Sequence, residues 1–132
     1  MAQPEHAAAL VRLARQDLDA LVALSVLPPI ADAILGFHAQ QAVEKGLKAW
    51  LASLGQDYPL THNLSRLLTL LDRGGADVER FRSLDALTPY AVQARYDEGD
   101  PDAEDTLDRP AVVAEVTALL ERVASLLGDQ ET

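Results

Sequence analysis

The chain has no cysteine, and so no disulfide, no thiolate metal ligand and no cysteine nucleophile. That suits a reducing cytosol, and a cytoplasmic location is expected. No stretch approaches 18 uninterrupted apolar residues, and the first thirty show no basic start followed by an apolar run. A membrane span and a signal peptide are therefore not expected. Aromatic residues make up only 5% of the chain, and basic residues are few: 11 Lys and Arg against 21 Asp and Glu, a formal net charge of −10. Seven of those acids (Asp97, Glu98, Asp100, Asp102, Glu104, Asp105 and Asp108) fall within twelve residues that contain no base, leaving 14 acids against 11 bases elsewhere. General nucleic-acid binding relies on Lys and Arg neutralising phosphates, and this field opposes it.

What is present is helical. At 132 residues the chain is one domain, spanning 1–132, large enough to bury a core unaided. Leu10, Leu13, Ala14, Leu18, Leu21 and Leu24 recur at helical spacing, predicting a helix from Glu5 to Val26 that stops at Pro28-Pro29. A second helix is expected over Ile30–Leu54, closed by Gly55 in a left-handed cap. A third opens after Thr61 as N-cap and ends at Gly74-Gly75. A fourth begins at Asp77 with Val78, Phe81, Leu84 and Leu87, and Pro89 interrupts it or starts a short turn capped by Thr88. The acidic stretch from Asp97 to Asp108 reads as a loop, and a last helix runs from about Pro110 to Gly128. Nothing alternates with the two-residue period of a strand. The expected fold is all-α: an up-and-down four-helix bundle with an additional short helix.

The second helix carries most of the information. Between residues 38 and 50, Ala39, Ala42, Val43, Gly46, Leu47, Ala49 and Trp50 share one half, with His38, Gln40, Gln41, Glu44, Lys45 and Lys48 on the other. Earlier in the helix, Ile30, Ile34 and Phe37 point where those polar residues point. An apolar group on the polar azimuth predicts a self-association surface and hence a homodimer. Lys45 and Lys48 are the only lysines in the protein. With His38, Gln41 and Glu44 they form either a solvated face or a site for a phosphate-bearing ligand or partner.

The segment Phe37-His38-Ala39-Gln40-Gln41-Ala42-Val43-Glu44-Lys45-Gly46-Leu47-Lys48-Ala49, followed by Gly55, Thr61-His62-Asn63-Leu64 and Ala94-Arg95-Tyr96, resembles the HEPN domain family, with Asp17-Leu18 upstream. The resemblance covers nearly the whole chain. It implies a four-to-five-helix bundle, commonly homodimeric, often paired with a minimal nucleotidyltransferase in toxin–antitoxin-like couples. Some members are metal-independent RNases; others bind nucleotides or act as non-catalytic partners. The RNases carry an Arg followed after four to six residues by His. Here the histidines are His6, His38 and His62, and the only arginines before them, Arg12 and Arg15, are 23 or more residues ahead. The motif is missing, which favours a non-catalytic module over an RNase with a divergent active site.

Arg95 and Tyr96 are placed as possible neighbours of the polar patch, although Asp97 follows them where the family pattern often has Pro. His62, just past the proposed N-cap, reads as a neutral imidazole used as a hydrogen-bonding packing residue. His38 and Glu44 stand six apart, poor spacing for joint metal ligation, and the acidic run lacks the order of an EF-hand loop. No metal and no cofactor are expected.

Overall fold

The computed structural model describes residues 3–91 and 107–130. Arg95, Tyr96 and most of the acidic stretch lie outside them. Three helices of 22 residues form the frame: α1 (Pro4–Ser25), α2 (Asp32–Ser53) and α4 (Arg109–Gln130). Between α2 and α4 lie α3 (Leu64–Arg73) and a 3₁₀ helix (Glu79–Leu87). No strand occurs among the described residues, so the all-α bundle is the observed architecture.

The 3₁₀ helix differs from the expected fourth α-helix, and its sequence explains why. Val78, Phe81, Leu84 and Leu87 recur every third residue and all four are buried. Three residues per turn stack such positions into one row, whereas an α-helix would rotate them progressively off the core.

The start of α3 also differs. Its N-cap is Asn63, whose side chain accepts from Arg66 N at 3.2 Å, while Thr61 acts one step earlier by accepting from Asn63 N. A turn does follow Thr88, with Ala91 N donating to its carbonyl at 3.1 Å, and its side chain serves another helix. Its hydroxyl accepts from Leu64 N at 3.1 Å, so a residue 24 positions away satisfies another free N–H of the first turn of α3. The left-handed glycines fall where expected, at Gly55 (φ 73°) and Gly75 (φ 94°).

Helix α2 is the central element, packed against α1, α3, α4 and the 3₁₀ helix. None of its residues from Leu35 to Ser53 is exposed. The C-terminal half, with its polar residues, is thus enclosed rather than solvated, while Ile34 in the N-terminal half, assigned to self-association, is 43% exposed in the protomer. Small residues allow the enclosure. A side chain at Gly46 would meet Leu120, and one at Gly36 would strike the ring of Tyr90.

Helix α4 enters beside the α1–α2 turn through Arg109. Its Nε donates to Asp32 Oδ1 at 3.0 Å, Nη1 donates to the Leu27 carbonyl at 3.3 Å, and Nη2 donates to the Ile30 carbonyl. Asp32 also accepts from Leu107 N at 3.0 Å. One guanidinium thus joins three elements.

Candidate functional site

The polar residues of α2 are divided between two carboxylates. On the α1 side stands Asp17, which bonds His38 Nδ1 at 3.2 Å and the Lys45 ammonium. On the other side stands Glu44, only 5% exposed. Its Oε1 accepts from Gln40 Nε2 at 3.0 Å and meets His62 Nδ1 at 2.8 Å; its Oε2 accepts from Lys48 at 3.1 Å. Gln40, fully buried, also donates to the His62 carbonyl at 3.1 Å and accepts from Gln41 at 2.7 Å. The segment before α3 is thereby fastened to α2 through both the backbone and the side chain of His62.

Lys48 continues the network. Its ammonium lies 5.5 Å from the centroid of the Tyr58 ring, and the Tyr58 hydroxyl is 2.6 Å from His6 Nε2. Burial pushes the Tyr58 hydroxyl above its ordinary value. Burial also pushes the Glu44 carboxyl up, but the hydrogen bonds from Gln40, His62 and Lys48, with the Lys48 charge, outweigh that and hold it below the ordinary carboxylate value. Glu44 is an anion whose charge is spent inside the chain.

The fold divides the five residues between two nodes, His38 and Lys45 at Asp17 and Gln41 and Lys48 at Gln40–Glu44, on a compensated rather than a solvated face. Lys48 is only 12% exposed at its side chain, and each lysine already has a carboxylate partner. His38 and Glu44 do not converge: each belongs to a different node. His62 hydrogen-bonds as expected, through Nδ1 to Glu44, but its side chain is 67% exposed rather than packed. Of the three apolar residues assigned to self-association, Ile34 is exposed and Phe37 half-buried, whereas Ile30 packs partly against the protomer's own core. The ring of Phe37 stands edge-on to His38, 5.6 Å between centroids.

Asp17, Gln40 and His62 are the participants that patterning alone undervalued. Their signal is a polar residue in an apolar register. Leu10, Ala14, Asp17, Leu21 and Leu24 follow one four-three spacing, and Gln40 and Glu44 share a stripe with the fully buried Leu47 and Leu51.

The fold is an α-helical bundle whose central helix carries a buried, internally paired polar node; among the described residues no group of three or more His, Asp or Glu that could hold a metal occurs. The HEPN domain model matches residues 7–127, so the chain belongs to the HEPN domain family, a family of nucleotide-binding or RNase modules. No curated protein and no solved structure matches it. No helix among the described residues is long and apolar enough to cross a membrane.

Proposed function

We propose that this chain is a non-catalytic HEPN interaction module that self-associates and pairs with a minimal nucleotidyltransferase in a toxin–antitoxin-like couple. One observation carries the reading: both lysines of the polar face are bonded to carboxylates of their own chain. A phosphate at that face would have to displace Asp17 and Glu44 from the ammonium groups while facing both anions. A rigid, charge-compensated polar surface beside exposed Ile34 and half-buried Phe37 instead has the make-up of a protein contact, an apolar centre with a polar rim. Nucleotide binding at Lys45 and Lys48 is the weaker reading for the same reason. The test is co-expression with the nucleotidyltransferase of a neighbouring reading frame: the wild-type chain should co-purify with it and a Gln41→Arg, Lys45→Glu variant should not. Failure of the wild type to co-purify defeats the reading.

A second reading, an RNase with a divergent site, is favoured by the two His–carboxylate pairs. Glu44 holds Nδ1 of His62, leaving Nε2 without a partner among the described residues, which is the arrangement of a general base. The absent Arg–His spacing counts against it. A mixed RNA pool and transfer RNA should survive incubation; cleavage abolished by His62→Ala would reverse the order of the two readings.

A further inference from the structure

Away from the polar face of α2, a cavity of about 450 Å³ opens between the 3₁₀ helix and the start of α4. That volume lies within the range of about 300–1,000 Å³ usual for small-molecule sites. Its apolar wall belongs to the core. Leu84 and Leu87, from the buried row of the 3₁₀ helix, line one side, and Val112 of α4 lines another. Tyr90 adds an aromatic surface, and its ring is seated against the bare backbone of Gly36 in α2.

The polar part of the wall has one sign. Asp108 and Glu115, seven residues or about two helical turns apart, both line the cavity. No Lys, Arg or His is among the described residues that do. The two carboxylates differ in what they already hold. Asp108 Oδ1 accepts from Ala111 N at 3.2 Å, within the first turn of α4. Glu115 is half-buried and has no hydrogen bond or ion pair among the described residues. A carboxylate drawn partly out of water beside an apolar wall is satisfied best by a cation that enters with an apolar group.

We propose that this cavity binds a small molecule built of an apolar body and one ammonium group. The body lies on Leu84, Leu87 and Val112, and the ammonium is held by Glu115. The same two acids oppose an anionic ligand, and the formal charge of −10 draws cations towards the surface. A partner helix about 10 Å across would fill this volume with a single turn, so a small molecule is the better match. The site shares none of the residues on which the functional reading rests.

Three probes with one apolar body separate the contributions: phenylbutylamine, phenylbutanol and phenylbutyrate. At physiological salt the amine should shift the methyl resonances of Leu84, Leu87 and Val112. It should bind about tenfold more tightly than the alcohol, the gain expected of one charge-assisted contact. Glu115→Gln should bind amine and alcohol alike, with the affinity for the alcohol unchanged, which also shows that the cavity is intact. Glu121→Gln, at an exposed position of α4 outside the cavity, should keep the full preference for the amine. The proposal is overturned if the amine moves none of these methyl resonances, or if the alcohol or phenylbutyrate binds as tightly as the amine. It is equally overturned if Glu115→Gln retains the preference, since the ammonium is then held elsewhere.

Discussion

Glu44 shows how one side chain can hold a site together. Buried carboxylates are costly unless fully hydrogen-bonded, and this one is met by an amide, an imidazole and an ammonium. Glu44→Gln removes the charge and leaves Lys48 enclosed without its counter-ion, so chemical denaturation at neutral pH should show a loss of about 1.5–3 kcal/mol. The pH dependence follows from the direction of the shift. The carboxyl ionises more readily in the fold than in the unfolded chain, so its contribution is complete above the ordinary value of 4.5. It disappears as pH falls through the lowered value of the folded state. Unfolding measured from pH 7 to pH 3 should therefore decline less steeply in Glu44→Gln than in the wild type; parallel profiles would show that Glu44 is not depressed. At this scale the sequence disclosed the identities of the polar residues but not their pairing. Glu44–Lys48 was legible as neighbours on one helix face, whereas Asp17–Lys45 and Glu44–His62 join elements whose relative position no local spacing encodes.

Element existence was the most legible property, because apolar periodicity is strong in α1, α2, α3 and α4 and the first three stop at prolines or glycines, whereas α4 runs past the expected stop at Gly128 to Gln130. Type and burial were less so. The strict three-residue row of Val78, Phe81, Leu84 and Leu87 fits a 3₁₀ helix, but such a row also fits one side of a short α-helix until packing selects between them. Burial of α2 was misjudged because a helix at the centre of a bundle buries its polar side against loops as well as helices. Its glycines give a direct test. Gly36→Ala would place a methyl group 2.2 Å from Tyr90 Cδ1 and force that ring off the helix. At Gly46 the obstacle is one methyl of Leu120 at 2.8 Å, which a rotamer change can relieve. Alanine gains about 1 kcal/mol over glycine inside a helix. Gly46→Ala should thus be close to neutral in urea denaturation, and Gly36→Ala should lose about 1–3 kcal/mol from overpacking. Arg109→Ala tests the other junction: it strips Asp32 and two backbone carbonyls of their donor, and a loss of about 2 kcal/mol is expected from charge-assisted bonds of this kind. Equal stability of Arg109→Ala and wild type would mean that α4 is held by its apolar face alone.

For the molecule as a whole, the proposed self-association would have to overcome the repulsion of two bodies each carrying −10. The apolar contact available for it is narrower than the sequence pattern implied, because Ile30 contributes to the protomer's own core and leaves Ile34 and Phe37. A stable dimer buries on the order of 800 Å² per partner, so the proposed contact would need a rim from neighbours such as Gln41 and His38. Two consequences separate this arrangement from nonspecific clustering. Ile34 is exposed in the protomer, so Ile34→Glu should leave thermal stability nearly unchanged while placing a charge in the contact. Light scattering at micromolar concentration should then give a dimer for the wild type and a monomer for the variant. Salt supplies the second consequence. Like-charged protomers repel over roughly a Debye length, about 8 Å at physiological ionic strength, so added sodium chloride should tighten the dimer. A contact held by salt bridges between protomers would respond in the opposite sense and weaken. A wild-type monomer throughout, or a dimer indifferent to Ile34→Glu, removes the Ile34–Phe37 face as the self-association surface, and a dimer loosened by salt replaces its apolar centre with an ionic one.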